Sequence, residues 1–161
     1  VRRASPIASY RDLQGKTVVV TAGTTNEAAV RSIADKQKIA MKIVAGRDHN
    51  ESFSLLEGGT ADAFATDDVL LYGLIASTKS GRDFKVVGDY LSYDPYGLMF
   101  RKDEPQLAAI VDRTFARLAE SRELVQLYNR WFRMRLPTGE RFDLPMSPQL
   151  VEFFRILGVP D

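Results

Sequence analysis

The rhythm of hydrophobic and polar positions changes along the chain. Val18-Val19-Val20 is an uninterrupted β-branched run, the pattern of a strand buried on both faces. It leads through Thr21-Ala22-Gly23 into Thr24-Thr25-Asn26-Glu27, where Thr24 and the carboxylate three residues on match a capping box and so predict a helix start. Residues 27–38 then set Val30, Ile33 and Ala34 on one helical face. Residues 41–45 read as a short strand followed by Gly46. Residues 52–57 read as a short helix carrying Phe53 and Leu56, stopped by Gly58-Gly59. A small apolar strand at 61–65 follows, then Asp67-Asp68 opening an apolar helix over 69–77, then a strand at 84–88. Strands alternating with helices predict an α/β fold with a parallel or mixed, mainly parallel, sheet flanked by helices.

The alternation stops after Tyr90. Ser92-Tyr93-Asp94-Pro95 reads as an extended crossing and 96–100 as a strand, after which two helices follow with no strand between them. Pro105 suits the first turn of one, and Leu107, Ile110, Val111, Phe115 and Leu118 form its apolar stripe. The other, over 123–134, carries Leu124, Leu127, Tyr128, Trp131 and Phe132, and a short amphipathic segment closes the pattern over 148–157. Ahead of all this, Val1-Arg2-Arg3 is a basic, strand-like start, and residues 9–15 suggest one helical turn closed by Gly15.

Composition narrows the chemistry. The 161 residues are 45% hydrophobic and 27% charged, ordinary values for a globular chain, and the formal charge of +1 carries no signal for nucleic acid or an anionic membrane. With no cysteine and one histidine, the chain lacks thiolate chemistry and the usual zinc ligand sets. No metal or other cofactor is expected. No apolar run approaches the ~20 residues of a membrane-spanning helix. The start at Val1, without an initiator methionine, suggests a processed or trimmed piece of something longer.

In an open α/β sheet, ligands sit beyond the carboxyl ends of the strands. The residues there are Thr21, Thr24 and Thr25 after the first strand, His49 after the second and Asp67 after the third. Together they suit a zwitterion, with an anionic group against the helix start and an ammonium against Asp67. Each also has a plainer reading. The Thr24 stretch is a well-capped helix, Asp67 is an N-cap, and His49 is a solvated loop residue in a polar run. The aromatic stripe around Trp131 is most simply core-facing, and Arg130, Arg133 and Arg135 a solvated helix face. No phosphate loop, dinucleotide fingerprint or nucleophile elbow occurs, so catalysis has little support and no catalytic residue is assigned.

The order Asp12-Leu13-x-Gly15-Lys16-Thr17-Val18-Val19-Val20, Gly23-Thr24-Thr25-x-Glu27, Ser52-Phe53-x-Leu55-Leu56-Glu57-x-Gly59-x-Ala61-Asp62-Ala63, Asp67, Tyr96-Gly97-Leu98-Met99-Phe100-Arg101-Lys102-Asp103 and Tyr128-Asn129-Arg130-Trp131-Phe132 resembles the periplasmic amino-acid-binding proteins of ABC importers. It looks closest to their glutamate/aspartate-binding branch. The resemblance runs from Tyr10 to Phe132. It implies binding of an acidic amino acid in the periplasm for delivery to a membrane permease, with no enzymatic step. Thr25 and the helix-start N–H groups would contact a ligand carboxylate, Asp67 the α-ammonium, and His49 the acidic side chain, with Thr21 and Thr24 as neighbours of that site. Two other functions use the same fold: a ligand-sensing module of a membrane receptor, and a dehydratase.

The family fold has two lobes. By this resemblance residues 1–92 form lobe two, and residues 93–161 form the hinge crossing and the returning segment of lobe one. The first part of lobe one, with the arginine that clamps the ligand α-carboxylate, is then missing, which should weaken binding. The C-terminal helices would lack the sheet they pack on. They are therefore expected to form a homo-oligomer through their exposed stripes or to fold back on the chain's own sheet.

Overall fold

The computed structural model describes residues 1–94, 96–136, 139 and 141–156, and the chain divides into two compact units, Val1–Asp94 and Pro95–Asp161. The first unit is built on β1 (Thr17–Thr21), the central strand of a three-stranded parallel sheet, with β2 (Lys42–Gly46) on one side and β3 (Ala63–Phe64) on the other. Thr17 stands opposite Lys42, and Thr21 opposite Gly46, so β1 and β2 end together. Helices α1 (Thr25–Gln37), α2 (His49–Glu57) and α3 (Asp68–Ser77) follow the three strands in turn.

Successive strand residues point to opposite faces, and the valine run uses both. Val18 and Val20 pack with Ile7, Leu13 and Val30 of α1, whereas Val19 packs with Phe53 and Leu56 of α2, Phe64 and Phe84. A two-sided core of this kind is what an unbroken Val-Val-Val strand requires.

Residues 84–88 do not form the expected strand. Phe84 is buried against Phe53, their ring centroids 5.1 Å apart, but its flanking backbone pairs with the start of the chain. Lys85 N–H donates to the Val1 carbonyl (3.0 Å), Arg3 N–H donates to Asp83 (2.6 Å), and Arg2 and Phe84 form an isolated antiparallel bridge. These groups are therefore spent on residues 1–3 and not on the edge of β3. The strand-like reading of Val1-Arg2-Arg3 and the antiparallel element of a mixed sheet reduce to this one bridge.

In the second unit, α4 (Pro105–Glu120) begins at Pro105 as expected. The predicted helix over 123–134 divides into α5 (Glu123–Tyr128) and one π-helical turn, Asn129–Arg133, closed by Met134 N–H donating to the Asn129 carbonyl (2.9 Å). The Tyr128 and Phe132 rings pack at a tilt with centroids 4.8 Å apart, and Leu144 N–H donates to the Phe132 carbonyl (3.0 Å), which fixes the segment after the turn. Helix α6 (Pro148–Ile156) follows, and Leu157 lies outside the described residues. Residues 96–100 are not a strand. Tyr96 and Met99 are 77% and 98% exposed, and no ladder among the described residues receives this segment, so its apolar pattern has nothing to pair with. Pro95, the last residue of the expected crossing, also lies outside the described residues.

Candidate functional site

The parallel register brings the carboxyl ends of β1, β2 and β3 to one end of the sheet, and each strand there hands over to the N-terminus of a helix. Three helix starts at one sheet end, with their dipoles and the N–H groups their caps leave over, favour an anion there.

The β1–α1 junction is ordered by its own side chains. Thr24 Oγ1 donates to the Thr21 carbonyl (2.8 Å) and accepts from Glu27 N–H (3.2 Å). The Glu27 carboxylate reaches past Thr24 to accept from Gly23 N–H at 2.9 Å, so the box closes one residue earlier than its sequence form implies. Thr25, the first helical residue, is exposed.

Glu27 also pairs with Arg31 at 2.8 Å. The Gly23 N–H, then Arg31, hold its carboxyl below the usual glutamate range. A folded-state value below the unfolded one contributes stability above the unfolded pKa and loses it as pH falls through the folded value. Wild type should therefore melt above Glu27→Gln at neutral pH, and the gap should close under acid. Thermal unfolding monitored by circular dichroism across pH checks this; a gap that is constant with pH would exclude the linkage.

His49 is not a loop residue. It is the first residue of α2, behind Asp48, whose carboxylate caps the helix by accepting from Glu51 N–H (2.8 Å). The His49 ring is half-buried, with Nδ1 2.8 Å from Thr21 Oγ1. Thr21 is only 6% exposed, and its hydroxyl also lies 3.1 Å from that of Ser52, which is fully buried. Thr21 thus faces His49 and Ser52, within hydrogen-bond distance of both.

Asp67 holds the N-cap position of α3, yet its side chain makes no capping bond. Instead Asn26 Nδ2, in the first turn of α1, donates to Asp67 Oδ1 at 3.0 Å. The capping explanation for this carboxylate therefore fails, and Asp67 is tied to the helix that starts at Thr25. Its neighbour Asp68 accepts from Tyr90 Oη at 2.9 Å. Asp67 is half-buried between two helix starts.

Sequence reasoning missed Asn26 and Ser52. Asn26 follows Thr25 directly, and only its placement in the first turn of α1, facing α3, gives it a role. Ser52 lies in a quoted motif, but its burial depends on Gly46 leaving room. Among the described residues no cluster of acidic and histidine side chains could hold a metal ion, and no helix is long and apolar enough to cross a membrane.

An α/β unit with helix starts gathered at one sheet end is the lobe architecture of periplasmic-binding proteins. The probable amino-acid ABC transporter extracellular-binding protein of Bacillus subtilis has the same fold, with a TM-score of 0.72 at 23% identity over 81% of this chain and 56% of its own. No family model matches the chain. Curated relatives do match it, two of them as follows at 38% identity. The L-glutamate/L-aspartate-binding protein of Pseudomonas aeruginosa matches over 92% of the chain and 50% of its own length. The glutamate/aspartate import solute-binding protein of Escherichia coli matches over 96% and 51%. The chain belongs to this family of amino-acid-binding proteins of ABC importers, and it spans about half the length of the relatives it matches.

Proposed function

We propose that the chain carries one half of a binding site for an acidic amino acid, glutamate or aspartate, in a non-catalytic solute-binding protein that serves an ABC importer from the periplasm. The observation that carries this reading is Asp67. Its carboxylate is released from capping, held by Asn26, and set at the sheet end where Thr25 opens α1 and His49 opens α2. That set complements a zwitterion with a second anionic group. In this reading Thr25 and the N–H groups of α1 receive a ligand carboxylate, Asp67 the ammonium, and His49 the side-chain carboxylate, while Thr24 and Thr21 hold the junction and the imidazole.

The same reading assigns residues 1–92 to lobe two and 93–161 to the crossing and the returning part of lobe one. The exposed Leu107, Ile110 and Phe115 of α4 then belong to a surface that further chain of the same protein, or a second copy, would cover.

Titrating the 15N-labelled chain with L-glutamate, L-aspartate and L-lysine, read from amide shifts, tests the proposal. Glutamate and aspartate should move the amides of residues 23–26, 49 and 67–68, and lysine should not. Equal responses to lysine, or none to any of the three, overturn it.

A further inference from the structure

The buried hydroxyls behind His49 form a chain whose direction follows from counting hydrogens. Each hydroxyl brings one hydrogen, and a carbonyl brings none. Ser52 Oγ lies 2.9 Å from the Asp48 carbonyl and 3.2 Å from the Val20 carbonyl, and toward both it can only donate. The Ser52 hydrogen is committed to them. Its 3.1 Å contact with Thr21 Oγ1 then uses the hydrogen of Thr21. Thr21, having donated, faces His49 Nδ1 at 2.8 Å as an acceptor. We infer that Ser52 and Thr21 act as positioning residues that fix neutral His49 as its Nδ1–H tautomer, so that the ring can donate from Nε2 to an anion only after taking up a proton.

The tautomer of a histidine is set by the bond its other nitrogen makes. Here that bond leaves a lone pair on Nε2, which repels a carboxylate. Protonation turns the same atom into a charge-assisted donor. An acidic side chain docking on His49 is therefore coupled to uptake of a proton from solvent. The linked half of this inference rests on the acidic-ligand reading above; the tautomer does not.

Few other charges compete there. Helix α2 packs on β1, β2 and β3. Strands β1 and β3 carry no ionisable side chain, and Lys42 of β2 stands opposite Thr17 at the far end of the sheet. Ahead of α2 is Asp48, engaged in capping, and on α2 itself are Glu51, paired with Arg47 at 3.0 Å, and Glu57 at the opposite end. Across the β1–α1 junction Glu27 pairs with Arg31.

The chain has one histidine, so its ring nitrogens are read without ambiguity. A long-range 1H–15N spectrum at about pH 8.5, where an ordinary histidine is neutral, should give a pyrrole-like Nδ1 and a pyridine-like Nε2. Ser52→Ala, at a residue whose hydroxyl bonds Thr21 and the Asp48 and Val20 carbonyls, releases the Thr21 hydrogen to Nδ1 and should shift the ring to Nε2–H. Thr21→Ser keeps the hydroxyl and should retain the native tautomer, with the amide spectrum confirming the fold of each variant. An Nε2–H ring in the unsubstituted chain, or an unchanged ring in folded Ser52→Ala, overturns the inference. Calorimetry with glutamate at about pH 8 in two buffers of different ionisation enthalpy should show net proton uptake, with affinity falling as pH rises. Glutamine should take up none. Heats with no proton uptake overturn the linkage. Absence of any glutamate heat instead sinks the proposed function and leaves the tautomer measurement to decide this inference.

Discussion

Replacing Asp67 by alanine is expected to weaken glutamate binding by roughly a hundredfold, the equivalent of about 3 kcal/mol for a lost hydrogen bond between charged groups. The size follows from the placement of the carboxylate. It is half-buried, it does not cap α3, and Asn26 fixes one oxygen at 3.0 Å, so an ammonium would meet a group already oriented. Asp67→Asn keeps the volume and loses the charge, and should behave almost as Asp67→Ala does. Glutarate, which has both carboxylates of glutamate and no ammonium, separates the ammonium contact from general damage to the site. Wild type should prefer glutamate over glutarate, and Asp67→Ala should bind the two alike. Competition calorimetry, or amide shifts where affinity is low, measures both. If Asp67→Ala lowers glutamate and glutarate affinity equally, the carboxylate does not hold the ammonium.

Local signals carried the central strand and its helix start. Val18-Val19-Val20 needs two apolar faces, and the fold supplies Val30 on one and Phe53 with Leu56 on the other. The Thr24–Glu27 spacing produced a helix start at Thr25, because capping involves only residues within one turn of each other. Signals that depend on distant partners were not legible. Residues 84–88 have strand composition, yet the backbone at 83–85 pairs with residues 1–3, and nothing within the segment encodes that choice. Residues 96–100 are an apolar run of strand length with no neighbouring ladder among the described residues. The site divides in the same way. His49 and Asp67 could be named from their positions after strands, but the bonds that orient them come from Thr21 and Asn26, 28 and 41 positions away, with Ser52 bonded behind Thr21.

Gly46→Ala should be the most damaging single methyl added near the site. Gly46 ends β2 opposite Thr21, and its backbone is not in the left-handed region, so the demand for glycine is one of space. A Cβ there would overlap Ser52 Oγ and come within 2.9 Å of the Ser52 backbone nitrogen and 3.0 Å of its Cα. The hydroxyl could rotate away only by giving up its bonds to the Asp48 and Val20 carbonyls, and the backbone atoms could move only with α2. Overpacking of a buried contact costs about 1–3 kcal/mol, and the upper end applies where backbone meets backbone. For a unit of this size about 3 kcal/mol lowers the melting temperature by roughly 12–24 °C. Adding Ser52→Gly to Gly46→Ala removes the hydroxyl overlap but leaves the approach to the backbone, so stability should return only in part. The displaced α2 also carries His49 away from Thr21, and the folded fraction of Gly46→Ala should show a changed imidazole environment. Gly23→Ala is the comparison: its φ of +72° imposes strain, but nothing lies within 4 Å, so its cost should stay near 1–2 kcal/mol. Thermal and urea unfolding of the two variants side by side measures the contrast. A Gly46→Ala chain that melts with or above Gly23→Ala would mean that α2 yields to the added methyl, and that the close approach of strand and helix does not hold the imidazole in place.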